Sequence, residues 1–347
     1  MHGAQPLSGR EVQIASHPDG ELRTSDFRIV DVPVRDPRPG EVLVRNTWTS
    51  VDPGLRLRLT ASAPAGYFPA FGLHRALDGV MTVGEVIESR ADGFSAGDTV
   101  SHASGWRDYA VVAAGTPALG GLGTLTRLDT GLAPAQRYLG PLGGMGLTAY
   151  AGLFDVAGLR EGDIVWVSAA AGAVGSLAAQ FAKLRGHRVI GSAGSDAKVA
   201  HVLDDLGLDA AFSHRAGSVA ALLRAAAPEG IDVYFDCVGG DHLEAALGAL
   251  RRRGRVALCG AVSEYGRTAR GPANLFQATA RDLTLRGFRG SSYLHRMGDM
   301  VRDVSGWLAD GRLRYRETVV DGLERAPEAL ARTLAGDTIG KTLVRIA

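Results

Sequence analysis

Apolar positions along this chain follow two rhythms. From Glu11 to about Leu128 they form short runs separated by turn residues: Phe27-Arg-Ile-Val, Glu41-Val-Leu-Val-Arg, Met81-Thr-Val-Gly-Glu-Val-Ile, Asp98-Thr-Val and Tyr109-Ala-Val-Val. Pro37-Arg-Pro-Gly, Asp52-Pro-Gly and Ala91-Asp-Gly supply the turns. Strands this closely spaced predict a compact, barrel-like β domain. After Thr130-Gly-Leu-Ala-Pro the rhythm changes, and from Ile164 onward strand-like runs alternate with helical segments. The strands are Ile164–Val167, Arg188–Ala193, Ile231–Val238, Arg255–Gly260 and Leu283–Phe288. Helices are predicted over 174–185, 195–206, 217–227, 241–253 and 271–281. Alternation of this kind makes a doubly wound parallel sheet. The tail predicts a helix near Met300–Asp310, a β run at Glu317–Val320, a helix near Ala326–Leu334 and a last strand at Lys341–Ile346. Strands at both ends of the chain imply that the tail returns to the first domain, with the α/β domain inserted between.

The turn after Ile164–Val167 carries the first candidate chemistry. Ser-Ala-Ala-Ala-Gly-Ala-Val-Gly ends in Gly172 and Gly175, the last two positions of a GxGxxG fingerprint, with Ala170 in the first. Gly172 would admit a pyrophosphate close to the backbone, Gly175 would let the helix press on the strand, and the helix N-terminus would face the anion. Small residues also occur at such turns for packing alone, so the fingerprint by itself decides little. The next strand ends in Gly191-Ser192-Ala193, with no carboxylate to meet a ribose 2′-hydroxyl, and Lys198 follows. Lysine is scarce here, at Lys183, Lys198 and Lys341 only. An uncharged strand end with a cation nearby suits a 2′-phosphate, so the expected cofactor is NADP(H).

Composition narrows the partners. The 347 residues are 46% hydrophobic and 22% charged, with a formal net charge of +1, enough for roughly two domains and no reason to expect nucleic acid or a membrane surface as partner. Met1 to Ser16 is polar without an apolar signal core, which makes a cytoplasmic enzyme acting on a small molecule the expectation. The two cysteines, Cys237 and Cys259, lie in apolar runs and read as core thiols. No cysteine falls in the first domain, and His17, His74 and His102 are scattered, so no zinc site is expected there.

Taken together, Ser50-Val51-Asp52-Pro53 with Arg56, Gly105-Trp106 before Tyr109, Gly146-Leu147-Thr148-Ala149-Tyr150, Ala169 to Gly175, Gly194-Ser195-Asp196 with Lys198, Tyr234-Phe235-Asp236 into Val238-Gly239-Gly240, Gly260-Ala261 with Ser263 and Tyr265, Gly287-Phe288 and Gly340-Lys341-Thr342 resemble the medium-chain dehydrogenase/reductase superfamily. More narrowly, the chain is similar to its zinc-free prostaglandin reductase, leukotriene B4 dehydrogenase and curcumin reductase group. The resemblance spans nearly the whole chain. It implies a Rossmann cofactor domain (134–308) inserted in a GroES-like β-barrel domain (1–133 and 309–347), a homodimer paired along Leu283–Phe288, and NADPH-dependent reduction of the carbon–carbon double bond of an α,β-unsaturated ketone or aldehyde.

By the same resemblance the cofactor would be held by Thr148, Ala170, Gly172, Ala173, Val174, Gly175, Ser192, Gly194, Lys198, His214, Arg215, Cys237, Val238, Gly239, Gly260, Ala261, Tyr265, Phe288, Gly290 and Thr338. Tyr265 would donate to the carbonyl oxygen as negative charge develops there. Asp52, Gly54, Tyr265 and Tyr293 would line the substrate pocket. Several positions depart from the group: Gly54 and His214 each stand for a tyrosine, Met145 for a proline, Gly290 for a β-branched residue and Thr338 for an asparagine. Arg215 could replace the missing tyrosine electrostatically. Loss of side chains at 54 and 290 predicts a wider cleft, hence a bulky, natural-product-like substrate and even a reductive ring closure. A quinone reductase with the same cofactor, or a non-catalytic NADPH-binding sensor or scaffold, stands as the alternative.

Overall fold

A computed structural model describes residues 6–267 and 270–346; residues 1–5 of the polar Met1–Ser16 stretch lie outside them. The chain divides into two compact units. One comprises 1–139, 318–337 and 342–347, the other 140–317 and 338–341. The expected cut at 308 falls inside a helix, Met297–Ala309, which belongs whole to the second unit.

In the first unit the long strand Glu41–Ser50 is the spine of a seven-stranded sheet. One edge pairs antiparallel with Asp78–Ser89. The other edge is shared end to end, Glu41–Arg45 pairing with Tyr109–Ala113 and Trp48–Ser50 with Leu343–Arg345. Register shifts at Leu43/Val44 and Asn46/Trp48 mark bulges, which bend a sheet. Around it a core of Val12, Ile14, Leu55, Leu59, Leu77, Trp106 and Leu330 is sealed. A strand at Ser8–Ile14, pairing with Phe27–Pro33, was not expected from the sequence, because Arg10 and Glu11 interrupt its apolar pattern.

The second unit holds six parallel strands: Ala210–Ser213, Arg188–Ala193, Ile164–Val167, Ile231–Asp236, Leu250–Leu258 and Thr284–Gly287, in that spatial order. Numbered along the chain this is 3-2-1-4-5-6, the doubly wound order whose connections reverse between Ile164–Val167 and Ile231–Asp236. The inner strands are buried on both faces, which is why they read as unbroken apolar runs. Its edge strands are Ala210–Ser213 and Thr284–Gly287.

Several predicted boundaries move. The helix expected over 241–253 ends at Ala249, and the next strand starts at Leu250 rather than Arg255. Leu250 is wholly buried and pairs with Ile231, after which the register jumps to Val233↔Arg255. The arginine run between them is thus a bulge, with Arg253 at φ 63°. The helix expected over 271–281 is regular only at Phe276–Ala280, and that over 195–206 is an α-helix, Asp196–Ala200, continued in π form through His201–Asp205.

Candidate functional site

The reversal point builds the site, and its turn is made differently from the usual glycine fingerprint. The left-handed backbone falls on Ala169 (φ 49°), one residue before Ala170. Ala170 is wholly buried and its N–H donates to Ser192 O at 2.9 Å. Its methyl group is accommodated from across the sheet, because position 191 is glycine: a Cβ there would lie 2.9 Å from Ala170 Cβ. Gly172 caps the helix Ala173–Leu184 with no side-chain cap. A Cβ on Gly175 would collide with Ala169 O, so that glycine is needed for the helix to approach the strand. The first-turn N–H groups have no partner within the helix and meet half-buried backbone at Gly172, Ala173 and Val174. A segment far along the chain braces the turn, Gly340 N–H donating to Ala171 O at 2.8 Å. Gly340 has φ 70°, and a Cβ there would strike Arg316 O. Thr338, in the same segment, is buried.

At the end of the next strand, Gly194, Lys198, His214 and Arg215 converge. Space beside Gly194 opens onto the His214 ring, with Cε1 3.3 Å and Arg215 Nε 3.9 Å from a Cβ placed there. Lys198 lies in the helix capped by Ser195. His214 N–H donates to Ala193 O at 3.0 Å. Burial, then the positive fields of Arg215 and Lys198, hold the His214 ring below its ordinary pKa. The second imidazole, His242, meets it edge to face at 5.1 Å and is pushed down to about 4, first by burial. Ser192, predicted beside these groups, turns its hydroxyl into the interior, where it has no hydrogen-bond partner. Only its carbonyl serves the turn.

On the other side of the reversal point Asp236 organises the backbone. Its Oδ1 accepts from the Tyr234 hydroxyl at 2.8 Å and from the N–H groups of Val238 (2.9 Å) and Gly239 (2.8 Å). Burial raises its pKa although these donors pull it back. Cys237 N–H donates to Ser168 Oγ at 2.9 Å. Gly239 (φ 73°) and Gly240 (φ 49°) start a helix, and a Cβ on Gly239 would lie 2.9 Å from Ala261 Cβ. The Val238–Gly239 and Gly260–Ala261 segments therefore touch. Tyr265 closes the second of them, its hydroxyl accepting from Ala261 N–H at 3.4 Å. Phe288 stacks edge to face on Phe235 (6.3 Å) and Tyr293 (6.1 Å).

Two expectations of open space are corrected. A Cβ on Gly290 would overlap Thr148 Oγ1, whose hydroxyl donates to Gly144 O at 2.7 Å. The missing side chain at 290 is therefore filled by Thr148. In the first unit, a Cβ on Gly54 would lie 3.0 Å from the Tyr67 hydroxyl, so that position also has an occupant. Asp52 precedes it and accepts from Ser50 Oγ at 2.5 Å. Of the residues predicted for the cofactor, all lie in the second unit, whereas the predicted pocket residues divide, Asp52 and Gly54 in the first unit and Tyr265 and Tyr293 in the second. Sequence reasoning missed the roles of Ala169, Gly191 and Gly340, which rest on backbone angle and contacts distant in sequence. Among the described residues no group of three or more His, Cys, Asp or Glu could hold a metal ion.

Residues 10–118 match the family model described as N-terminal domain of oxidoreductase, and residues 173–306 that described as zinc-binding dehydrogenase. The chain is 34% identical to the NADPH-dependent curcumin reductase of Escherichia coli, with 99% of each chain covered. It is 34% identical to prostaglandin reductase 1 of Rattus norvegicus, covering 96% of this chain and 97% of the relative. The crystal structure of CurA from Vibrio vulnificus in complex with NADPH superimposes with a TM-score of 0.90 at 34% identity, covering 97% of this chain and 99% of that one. The chain belongs to the medium-chain dehydrogenase/reductase superfamily, in its zinc-free reductase group.

Proposed function

We propose that this protein is an NADPH-dependent reductase of the carbon–carbon double bond of α,β-unsaturated ketones or aldehydes. The observation that carries the reading is the juxtaposition, at one end of one parallel sheet, of an uncapped helix N-terminus with a cationic cluster one strand away. The first fits a pyrophosphate; Lys198, Arg215 and His214 fit a 2′-phosphate, and no carboxylate stands at the strand end to favour a free ribose. The activities carried in the names of the relatives, curcumin reduction and 2-alkenal reduction among them, support the substrate class.

NADPH, when bound, supplies the hydride. The chain's part is to bind, to orient and to stabilise charge. Val238–Gly239 and Gly260–Ala261 shape one wall through the donors that converge on Asp236. Tyr265, set at that wall by Ala261 N–H, donates its hydroxyl proton in a hydrogen bond to the substrate oxygen as negative charge grows there. Such a donor stabilises the transition state more than the ground state. The α-carbon then takes its proton from Tyr265 or water. With positions 54 and 290 occupied by the Tyr67 hydroxyl and Thr148 Oγ1, the ground for preferring a bulky substrate is lost. Assembly as a homodimer through one of the two edge strands, Thr284–Gly287, is part of the same proposal.

The test is NADPH consumption with product masses across small enals, long-chain enones, diaryl dienones and quinones. A product heavier by two hydrogens, together with a roughly hundredfold slower Tyr265→Phe enzyme, supports the reading. Turnover of quinones alone overturns it.

A further inference from the structure

The only two cysteines of the chain end neighbouring parallel strands. Asp236 pairs with Leu258, so Cys237 and Cys259 stand side by side one residue further on. The last rungs between the two strands lie beside them, Cys259 and Gly260 N–H both donating to Asp236 O at 2.9 and 3.0 Å. Neighbouring strands run about 4.8 Å apart, within the Cα separations of roughly 4.4–6.8 Å that a disulfide spans. Partner positions project their side chains to one face, and the Cys259 side chain acts electrostatically on the Cys237 thiol. Cys259, the residue that must meet the peroxide, is half-buried rather than enclosed. Each leads directly into a segment of the candidate site, Cys237 into Val238–Gly239 and Cys259 into Gly260–Ala261.

We propose that Cys237 and Cys259 form a thiol–disulfide modification site, oxidised by hydrogen peroxide, whose closure lowers cofactor affinity. The steps balance. Cys259 sulfur attacks a peroxide oxygen, an S–O bond forms, the O–O bond breaks, and one water leaves carrying the thiol proton. Cys237 sulfur then attacks Cys259 sulfur, the S–O bond breaks, and the departing hydroxide takes the Cys237 proton as a second water. The two thiols together lose two electrons and the peroxide gains them. Cys237 is the resolving partner: the neighbouring Cys259 side chain and its own burial hold its proton and raise its pKa. Closure draws together two strand ends whose backbones are already anchored, by Ser168 Oγ on one side and Asp236 O on the other. The strain passes into the segments beyond, where Ser263 Oγ donates to Val238 O at 2.6 Å and Gly239 packs on Ala261.

The experiment treats the full-length protein with hydrogen peroxide and follows intact mass, free thiols after denaturation, and NADPH affinity by fluorescence. The expected result is a mass lower by about two units, both thiols lost together, NADPH affinity weakened about tenfold, and full recovery with dithiothreitol. Cys259→Ser should bind NADPH as the reduced protein does and show neither mass loss nor weakening. Oxygen addition without loss of two hydrogens, a disulfide between chains, or a closed disulfide with unchanged affinity would each overturn the proposal. The mass and thiol readouts do not depend on the reductase reading, whose own failure would show as absent NADPH binding in the untreated protein.

Discussion

The methyl group of Ala170 occupies the space that a side chain at residue 191 would need, with 2.9 Å between Ala170 Cβ and a Cβ built on Gly191. An imperfect fingerprint is thereby completed from the neighbouring strand. Leu208 Cδ2 and Val202 Cγ1 stand equally close to that point, so the pocket is tight on three sides. Gly191→Ala should destabilise the second unit by about 1–3 kcal/mol, the usual cost of overpacking, and weaken NADPH binding through the shifted turn. Adding Ala170→Gly should recover only part, because Leu208 and Val202 remain. Thermal unfolding of the two single variants and the double variant measures the coupling. Additive losses would show that the two positions are independent.

Gly290 offers a second packing test. A valine there, the β-branched type usual in the group, meets Thr148 Oγ1 and must push it aside. Gly290→Val should therefore lower stability by roughly 1–3 kcal/mol, and Thr148→Ala should relieve much of it. If valine were tolerated without loss, position 290 would be open after all, and the wider cleft expected from the sequence would return.

The doubly wound sheet was legible because strands buried on both faces leave uninterrupted apolar runs such as Ile164–Val167. The arginine bulge at 251–254 was not, since three consecutive arginines after an amphipathic helix continue its pattern and nothing in the sequence announces Arg253 at φ 63°. The candidate site was legible at Gly172 and Gly175, where spacing carries the chemistry. It was illegible at Ala169, whose residue type argues against a left-handed backbone, and at Gly340, whose bond to Ala171 joins distant parts of the chain. Ser192 shows the opposite error: the alternation of a strand turned its hydroxyl inward while its number in the motif pointed to the ligand.

Acid stability should report His102 in the first unit. This ring is wholly buried, with Nε2 3.0 Å from Asn46 Oδ1 and Nδ1 accepting from Ser104 N–H at 3.0 Å. Neutral imidazole satisfies both bonds, whereas protonation at Nδ1 would abolish the second. Burial, with Arg107 adding repulsion, lowers the pKa from 6.5 to about 3. The unfolded chain thus binds the proton more readily, so the stabilisation is fully present above pH 6.5 and is lost as pH falls towards 3. The slope should approach about 1.4 kcal/mol per pH unit, on the order of 5 kcal/mol in all. His102→Gln should be less stable at neutral pH and flatter in acid. Denaturant midpoints from pH 7 to 4 compare the two slopes, and parallel curves would remove His102 as the cause.

The cationic cluster at the end of Arg188–Ala193 makes the sharpest prediction about cofactor choice. Lys198 and Arg215 both act on His214, and Gly194 leaves room beside the ring. A 2′-phosphate placed there would gain charge-assisted hydrogen bonds of about 1.5–3 kcal/mol each. Lys198→Ala and Arg215→Ala should each weaken NADPH binding by about ten- to a hundredfold while leaving NADH binding within about twofold. Binding of NADPH to the native protein should also weaken with added salt more steeply than binding of NADH. His214 separates charge from shape: its ring is held neutral in the unliganded protein, and a dianion would draw a proton onto it. NADPH affinity should then rise as pH falls from 8 to 6, with a net proton taken up on binding, measured by calorimetry in buffers of different ionisation enthalpy. His214→Tyr, the residue usual in the group, should keep the affinity for NADPH and lose its pH dependence. Equal losses for both nucleotides in the Lys198 and Arg215 variants would instead assign the cluster to the fold, and the preference for NADPH would have to be sought elsewhere.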